Sequence, residues 1–279
     1  MTKAYCALYV VPTPLGNLGD LTHRSEEILR TVDWIAAEDT RHSAPLLRQI
    51  GTTARLLPAH QHNELEAASR IVACLEKGES VALISDAGTP GISDPGARIV
   101  EAVQGAGFRV TPLPGACAAT TALSAAGFVD TPFLFVGFLP SKSGQRRTVL
   151  EGLRTHAASL VFYEAPHRIL ETLGDLNQVL GDRTLVIARE LTKLFEEIKR
   201  LPLSAAEDWV REDPNRQRGE FVLVVSGAEA STPDEAENTR ILKLCLGEGL
   251  PLKQAVKLVC GITGESRNTV YARALTLKD

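Results

Sequence analysis

Eight short apolar runs, "CALYVV", "WIAA", "VALIS", "RVTPL", "FLFVGF", "SLVFYE", "TLVIA" and "EFVLVV", punctuate this chain, with helical periodicity between them. Runs that are apolar throughout, rather than alternating, are strands covered on both faces; strands separated by helices build a sheet between helical layers. The segment "NELEAASRIVACLEKG" illustrates the intervening pattern, with Leu65, Ala68, Ile71, Val72 and Leu75 on one stripe and Gly78 as the stop. The expected fold class is α/β. At 279 residues, 44% hydrophobic and 23% charged, the chain has material for about two such domains. No apolar stretch approaches the roughly 20 residues of a membrane helix. The start "MTKAYCALYVV" meets prolines without an apolar region or cleavage site, so neither a membrane nor a secretory address is expected.

Five cysteines, widely spaced and without a C-x-x-C pair, fit reduced thiols in a cytoplasm. His60 and His62 have no companions at zinc-site spacing and read as polar loop residues, so no metal is expected. The net charge of −4 excludes a generally basic nucleic-acid binder, but its distribution is uneven. Residues 239–279 hold seven Lys/Arg against three acids, a balance of +4, which leaves −8 on the rest. Four segments are expected: an α/β domain over 1–125, a second over 126–228, an acidic linker "AEASTPDEAEN" ending at 238, and a basic helical tail over 239–279. Within the tail, "LPLKQAVKLVCGITGESRNTVYARAL" outlines two helices around "GITGES", either a helix-turn-helix or a small helical cap.

The stretch "SDAGTPGISDPG" directly follows the strand run "VALI". Its glycines let backbone approach a ligand closely, and its position is the crevice at the carboxyl ends of an α/β sheet, where ligands bind. "DPGARIV" offers Asp94 as a helix N-cap with Pro95 at the first helical position. Two further loops, "VVPTPLGNLGDLTHRS" and "PLPGACAATTALSAAG", also follow strand runs; neither is a Walker A loop nor a G-x-G-x-x-G turn. Each alone is compatible with a structural turn. Together they point to a small-molecule site.

"VPTPLGNLGDLT", "AAEDTRHS", "SDAGTPGISDPG", "LPGACAATTALSAAG", "GFLPSKSGQRR", "FYEAPHR" and "ARELTKLFEE" resemble, in order and spacing, the ribosomal RNA small subunit methyltransferase I family. That family is of the tetrapyrrole-methylase-like class of S-adenosylmethionine enzymes. The resemblance spans nearly the whole chain. It implies 2′-O-methylation of a cytidine ribose in the decoding region of 16S rRNA, two α/β domains with the cofactor in the cleft between them, and a homodimer. Carried over by motif, Asp86, Gly88, Thr89 and Pro90 match the cofactor loop and Cys117 with Ala118 the adenosine-side turn, while Leu15, Ala165 and Ala188 complete the lining.

A ribose 2′-hydroxyl needs a base to take its proton or a lysine to lower its pKa. Candidates are Glu190 and Lys193 in "ARELTK", Glu164 in "FYEAPHR", and Glu38, Asp39 and Arg41 in "AAEDTRH"; ion pairs across the cleft would equally account for these charges. RNA phosphates require Lys/Arg, which Lys142, Arg146 and Arg147 supply in "SKSGQRR", Lys253, Lys257, Arg267 and Arg273 in the tail, and Arg216 and Arg218 in "EDPNRQRGE". Solvated surface loops are the alternative reading. Expected partners are 16S rRNA or the small ribosomal subunit. Two rival functions stay open: a precorrin-like tetrapyrrole methylase of the same fold, and a non-catalytic nucleic-acid-binding protein.

Overall fold

The computed structural model of the chain describes residues 5–129, 131–228 and 235–277. It divides into two compact units, residues 1–227 and 228–279. The first unit holds two five-stranded sheets. Strands β1 (Leu8–Val10), β2 (Trp34–Ala37), β3 (Arg55–Pro58), β4 (Val81–Ile84) and β5 (Val110–Pro112) form the first, in the order β3-β2-β4-β1-β5, every pair parallel. Strands β6 (Phe133–Phe138), β7 (Ser159–Glu164), β8 (Thr184–Arg189), β9 (Glu197–Pro202) and β10 (Phe221–Val225) form the second, in the order β6-β7-β10-β8-β9. There only β6 and β7 are parallel.

The α/β class inferred from uninterrupted apolar runs is the fold found. In the first sheet alternate residues feed two cores: Tyr9, Ile35, Ala82 and Ile84 pack with Leu29 and Leu47 on one face, Leu8, Ala36, Val81 and Leu83 with Ile71, Leu75 and Ile99 on the other. Two strands escaped the sequence reading, β3 and β9. Both are sheet edges, and both present polar residues to solvent, Arg55 in one and Lys199 and Arg200 in the other. The helix read from "NELEAASRIVACLEKG" runs Glu64–Glu76, followed by Gly78 at φ 78°. Its buried stripe is Ala67, Ala68, Ile71 and Leu75, whereas Leu65, expected on that stripe, is exposed.

The helix Ala118–Ala126 follows β5 but packs its alanines on the second sheet, where Ala119, Ala122 and Ala126 meet Val161, Val186 and Val222. The division expected at residue 125 therefore falls in the last turn of a helix that the second sheet carries. Residues 229–234 of the acidic linker, and Lys278 of the tail, lie outside the described residues.

The second unit has helices Glu235–Gly247, Leu252–Thr263 and Arg267–Thr276 around a core of Leu242, Ala255, Val256, Val259, Val270 and Ala274. "GITGES" is the turn: Gly264 stops one helix at φ 70°, and the Ser266 hydroxyl accepts the Thr269 amide to start the next.

Candidate functional site

β1 and β4 lie side by side at the centre of the first sheet, yet the chain leaves β1 toward β2 and leaves β4 toward β5. Connections that part in opposite directions open a crevice at the carboxyl ends of the strands. Three loops converge there and are tied together through their backbones. Thr13 and Gly88 exchange amide-to-carbonyl bonds of 2.9 Å, the Thr13 hydroxyl donates to the Ser85 carbonyl at 3.0 Å, and the Thr89 hydroxyl donates to the Ala116 carbonyl at 2.8 Å. Glycine is required at two of these contacts. Gly88 has φ 82°, and a Cβ on Gly115 would stand 2.6 Å from Pro12 Cβ.

A cavity of about 400 Å³ lies over these loops, a volume suited to a small ligand. Leu15, Asp86, Gly88 and Thr89 line its first side, with Cys117 and Ala118 at the start of the helix Ala118–Ala126. The second sheet supplies the facing wall: Ala165 follows β7, Ala188 lies near the end of β8, and Glu220, Phe221 and Val222 lie at the start of β10. Antiparallel pairing sets these ends together, since Val222 is in register with both Tyr163 and Ala188. The Tyr163 hydroxyl accepts the Ala119 amide at 3.1 Å, joining the two sides. Of the residues expected to hold a cofactor, Pro90 alone is not in the lining. It is buried beneath its loop, beside Gly96.

Asp94 corrects the sequence reading. The helix that follows begins at Ala97, with Gly96 as its cap residue at φ 138°, and the Gly96 amide is taken by Glu64 Oε1 at 2.6 Å. Asp94 is thereby released from capping and lines the cavity. Burial pushes its carboxyl up to about 6, helped by the charge of Glu38, while a bond to Ser85 opposes the rise. Glu38 is raised as well, by burial and then by Asp86. Asp86 accepts the Asp39 amide at 3.1 Å, so it also fixes the loop after β2. Glu38, Asp86, Asp94 and Glu220 all line the cavity, and among the described residues no lysine or arginine does. Mutually repelling carboxyls in a half-buried cleft favour a cationic guest. The set of small apolar walls, close-approach glycines and acids fits S-adenosylmethionine.

The three catalytic candidates differ in what they can do. Glu164 is buried and its carboxylate is saturated, accepting from the Ala165 amide at 2.8 Å and the Thr172 hydroxyl at 2.5 Å and pairing with Arg168 at 3.2 Å. It borders the cavity, and these bonds tie it to the second sheet's layer. Lys193 bonds to Glu190 at 2.8 Å and Glu220 at 2.9 Å. Burial would lower the ammonium, but these two carboxylates outweigh it and hold Lys193 above the ordinary lysine range. Burial would raise Glu190, but Lys193 and the Glu220 amide outweigh that and hold it below the usual carboxylate range. Lys193 thus offers fixed positive charge. Glu190 and Thr192 keep left-handed backbone in this turn, at φ 51° and 66°.

Among the RNA candidates, Lys142, Arg147, Lys253, Lys257, Arg267 and Arg218 are exposed. Arg146 is not: "SKSGQRR" enters the helix Ser143–Leu153, which turns Arg146 inward to a 2.6 Å ion pair with Asp175, fully buried. Arg273 pairs with the nearly buried Glu265 at 2.7 Å, and Arg216 stacks on Trp209 and pairs with Glu197 and Glu212. These three arginines hold the fold. His60 and His62 have ring centres 6.1 Å apart, and among the described residues no group of three His, Cys, Asp or Glu could hold a metal.

Residues 7–207 match the family of Tetrapyrrole (Corrin/Porphyrin) Methylases, and residues 232–278 match the RsmI C-terminal HTH domain. The chain is 50% identical over 272 residues to the ribosomal RNA small subunit methyltransferase I of Pseudomonas aeruginosa, covering 96% of each. It is 49% identical over 270 residues to that of Escherichia coli O157:H7, covering 96% of this chain and 94% of the other. Among solved structures it is similar to the methyltransferase CobJ, with TM-score 0.61 and 20% identity over 80% of this chain and 94% of that one. It is also similar to a uroporphyrin-III C-methyl transferase from Thermus thermophilus complexed with S-adenyl homocysteine, with TM-score 0.55 and 14% identity over 79% and 97%. At those identities the structures speak for the fold, while the near-full-length relatives speak for the lineage: this chain belongs to the ribosomal RNA small subunit methyltransferase I family, built on the tetrapyrrole methylase fold.

Proposed function

We propose that this chain transfers the methyl group of S-adenosylmethionine to the 2′-hydroxyl of a cytidine ribose in the decoding region of 16S rRNA. The observation that carries the reading is the half-identity over 96% of both chains with a relative named for ribosomal RNA methylation, joined to an acid-lined cleft. When bound, S-adenosylmethionine supplies an electrophilic methyl on a cationic sulfur. The chain's own part is to hold and orient. Gly88, Thr89 and Leu15 admit the cofactor against backbone, Ala118, Cys117, Ala165 and Ala188 give it flat apolar walls, and Asp86 and Asp94 answer its charge. Lys193, anchored by Glu190, sets a positive charge at the rim, where it favours the ionised form of an acceptor hydroxyl.

RNA would be held by the exposed cations Lys142, Arg147 and Arg218 of the first unit and Lys253, Lys257 and Arg267 of the second. A cytoplasmic homodimer completes the reading, supported by the exposure of Leu194 (90%) and Phe195 (69%) on one turn; sedimentation velocity tests it. The primary experiment maps ribose methylation in 16S rRNA from cells with and without this gene. Loss of one 2′-O-methylcytidine is expected. An unchanged map with methylation of a tetrapyrrole in vitro would support the small-molecule alternative. Removing residues 236–279 should spare cofactor binding, since the cleft lies wholly in the first unit. The same cut should reduce RNA methylation and flatten its salt dependence, the slope falling by roughly 0.7 to 0.9 for each phosphate that the tail no longer neutralises.

A further inference from the structure

The turn after β8 places one lysine between two unequal acids, donating from Lys193 Nζ to Glu190 Oε1 at 2.8 Å and to Glu220 Oε2 at 2.9 Å. The Glu190 side chain is 17% exposed and held fast. Its Oε1 also accepts the Glu220 amide at 3.0 Å, and Gly219, at φ 86°, lies so close that a Cβ there would overlap Glu190 Cγ. The Glu220 side chain is 75% exposed, and among the described residues its carboxylate has no hydrogen-bond partner but Lys193. The lysine itself is fixed up to its head. Its amide donates to the Glu190 carbonyl at 3.0 Å, and its stem crosses Gly16, where a Cβ would overlap Lys193 Cγ. Glu190 and Thr192 keep left-handed backbone in the same turn, a conformation that non-glycine residues hold only where the surroundings over-determine it. The part left to move is the ammonium, between one firm carboxylate and one loose one.

Glu220 belongs to two environments. Lys193 reaches it from the turn, and it also lines the cofactor cleft, which Lys193 does not. Asp94, on the opposite side of the cleft, feels the charge of Glu220, so the two carboxyls face one space. An exposed ion pair is weak, and a second cation brought to the same carboxylate competes with the first. Methyl transfer changes the charge that competes. The acceptor oxygen bonds the methyl carbon, the electron pair of the broken carbon–sulfur bond returns to sulfur, and the hydroxyl proton passes to water. The cleft then holds one positive charge fewer, because the sulfonium has become a neutral thioether.

We propose that Glu220 is shared between Lys193 and the positive charge of the cofactor. With the cationic cofactor in the cleft, Glu220 turns to it and Lys193 stays on Glu190 alone, its ammonium open at the rim. With the neutral product there, Glu220 returns to Lys193. Glu220 thus shifts the preference of the cleft from product toward cofactor, and it ties the release of the lysine head to a loaded cleft. The inference rests on the methyl-transfer reading.

The test measures binding of S-adenosylmethionine and S-adenosylhomocysteine by calorimetry in wild type, Glu220→Gln, Lys193→Met and the double variant. Methionine keeps the stem over Gly16, and the exposed Glu220 tolerates the amide. Glu220→Gln should weaken S-adenosylmethionine about five-fold and leave S-adenosylhomocysteine unchanged. Lys193→Met removes the competitor, so it should tighten S-adenosylmethionine about three-fold, again without effect on S-adenosylhomocysteine. In the double variant the lysine change should add nothing. A lysine that merely braces the cleft wall behaves oppositely: its loss weakens both ligands alike, and that result overturns the proposal. An affinity ratio for the two ligands that is equal in wild type and Glu220→Gln overturns it too. A second readout follows acetylation of Lys193 by mass spectrometry. In wild type it should run about two-fold faster with S-adenosylmethionine than with S-adenosylhomocysteine, and equally fast with both in Glu220→Gln. Equal rates in wild type would show that the lysine head is not released. If wild type binds neither ligand, the cofactor reading itself falls, and this inference with it.

Discussion

In the first sheet every strand runs the same way, so the loops after β1, β4 and β5 leave from one edge and meet over the cleft. In the second sheet only β6 and β7 are parallel, and its cleft wall mixes the carboxyl ends of β7 and β8 with the amino end of β10. The first side contributes backbone that needs glycine and acids that crowd one another. The second contributes alanines, an aromatic and the start of a strand. Parallel sheets concentrate adaptable loops at one edge; antiparallel ones bring rigid strand ends. Substitutions on the first side should therefore disturb ligand binding more than fold, and those on the second should do little to either unless they break a tie between the sides.

The sharpest way to break that contrast is Gly88→Val. A β-branched residue at φ 82°, with its Cβ 3.2 Å from Leu15, must reshape the loop. Cofactor affinity should fall at least about 100-fold, close to 3 kcal/mol, with circular dichroism unchanged; retained affinity would mean this loop does not touch the cofactor. Asp86→Ala should cost roughly ten-fold by calorimetry, since it removes a charge from the cleft and leaves the Asp39 amide without its acceptor.

Asp94→Asn sharpens the comparison through pH. Its carboxyl is raised to about 6 in the folded chain, so the free protein loses stability as pH climbs from the ordinary aspartate range through about 6, and is most favoured by this group below that range. The asparagine variant should melt higher than wild type at pH 7, with the gap closing toward pH 4. Conversely, wild-type affinity for the cationic cofactor should rise several-fold as pH passes about 6, and the variant should lack that rise. A variant that melts lower at pH 7 would contradict the burial argument. Smallest of all, Tyr163→Phe removes the hydroxyl that accepts the Ala119 amide; about 1 kcal/mol of stability and a change in cofactor affinity of no more than a few-fold are expected from thermal melts and calorimetry.

Asp94 and Glu220 mark the limit of what could be read from sequence. "SDPGARIV" contains a proper cap pattern, and only the reach of Glu64, from a different helix, moves the helix start to Ala97 and turns Asp94 into the cleft. Glu220 precedes an apolar strand, and the rule that ligands sit at carboxyl ends directs attention away from it; the reversal of β10 is a fact of pairing across distant residues. Arg146 failed for the same reason, since its partner Asp175 lies 29 residues on.

Local composition determined the α/β class, the turns at Gly78 and Gly264, and the three loops that build the cleft, because continuous apolar runs and glycine-proline punctuation act over a few residues. β3 and β9 were hidden, because an edge strand is half solvated and its sequence alternates like a surface segment. The tertiary structure alone decided which charges became ligand-facing and which became struts: Arg146 is spent inside the fold, Glu164 is tied by its neighbours although it borders the cavity, and Asp94 and Glu220 open to it. Burial and pairing of a charge depend on what the rest of the chain brings beside it, and no window of sequence contains that neighbour.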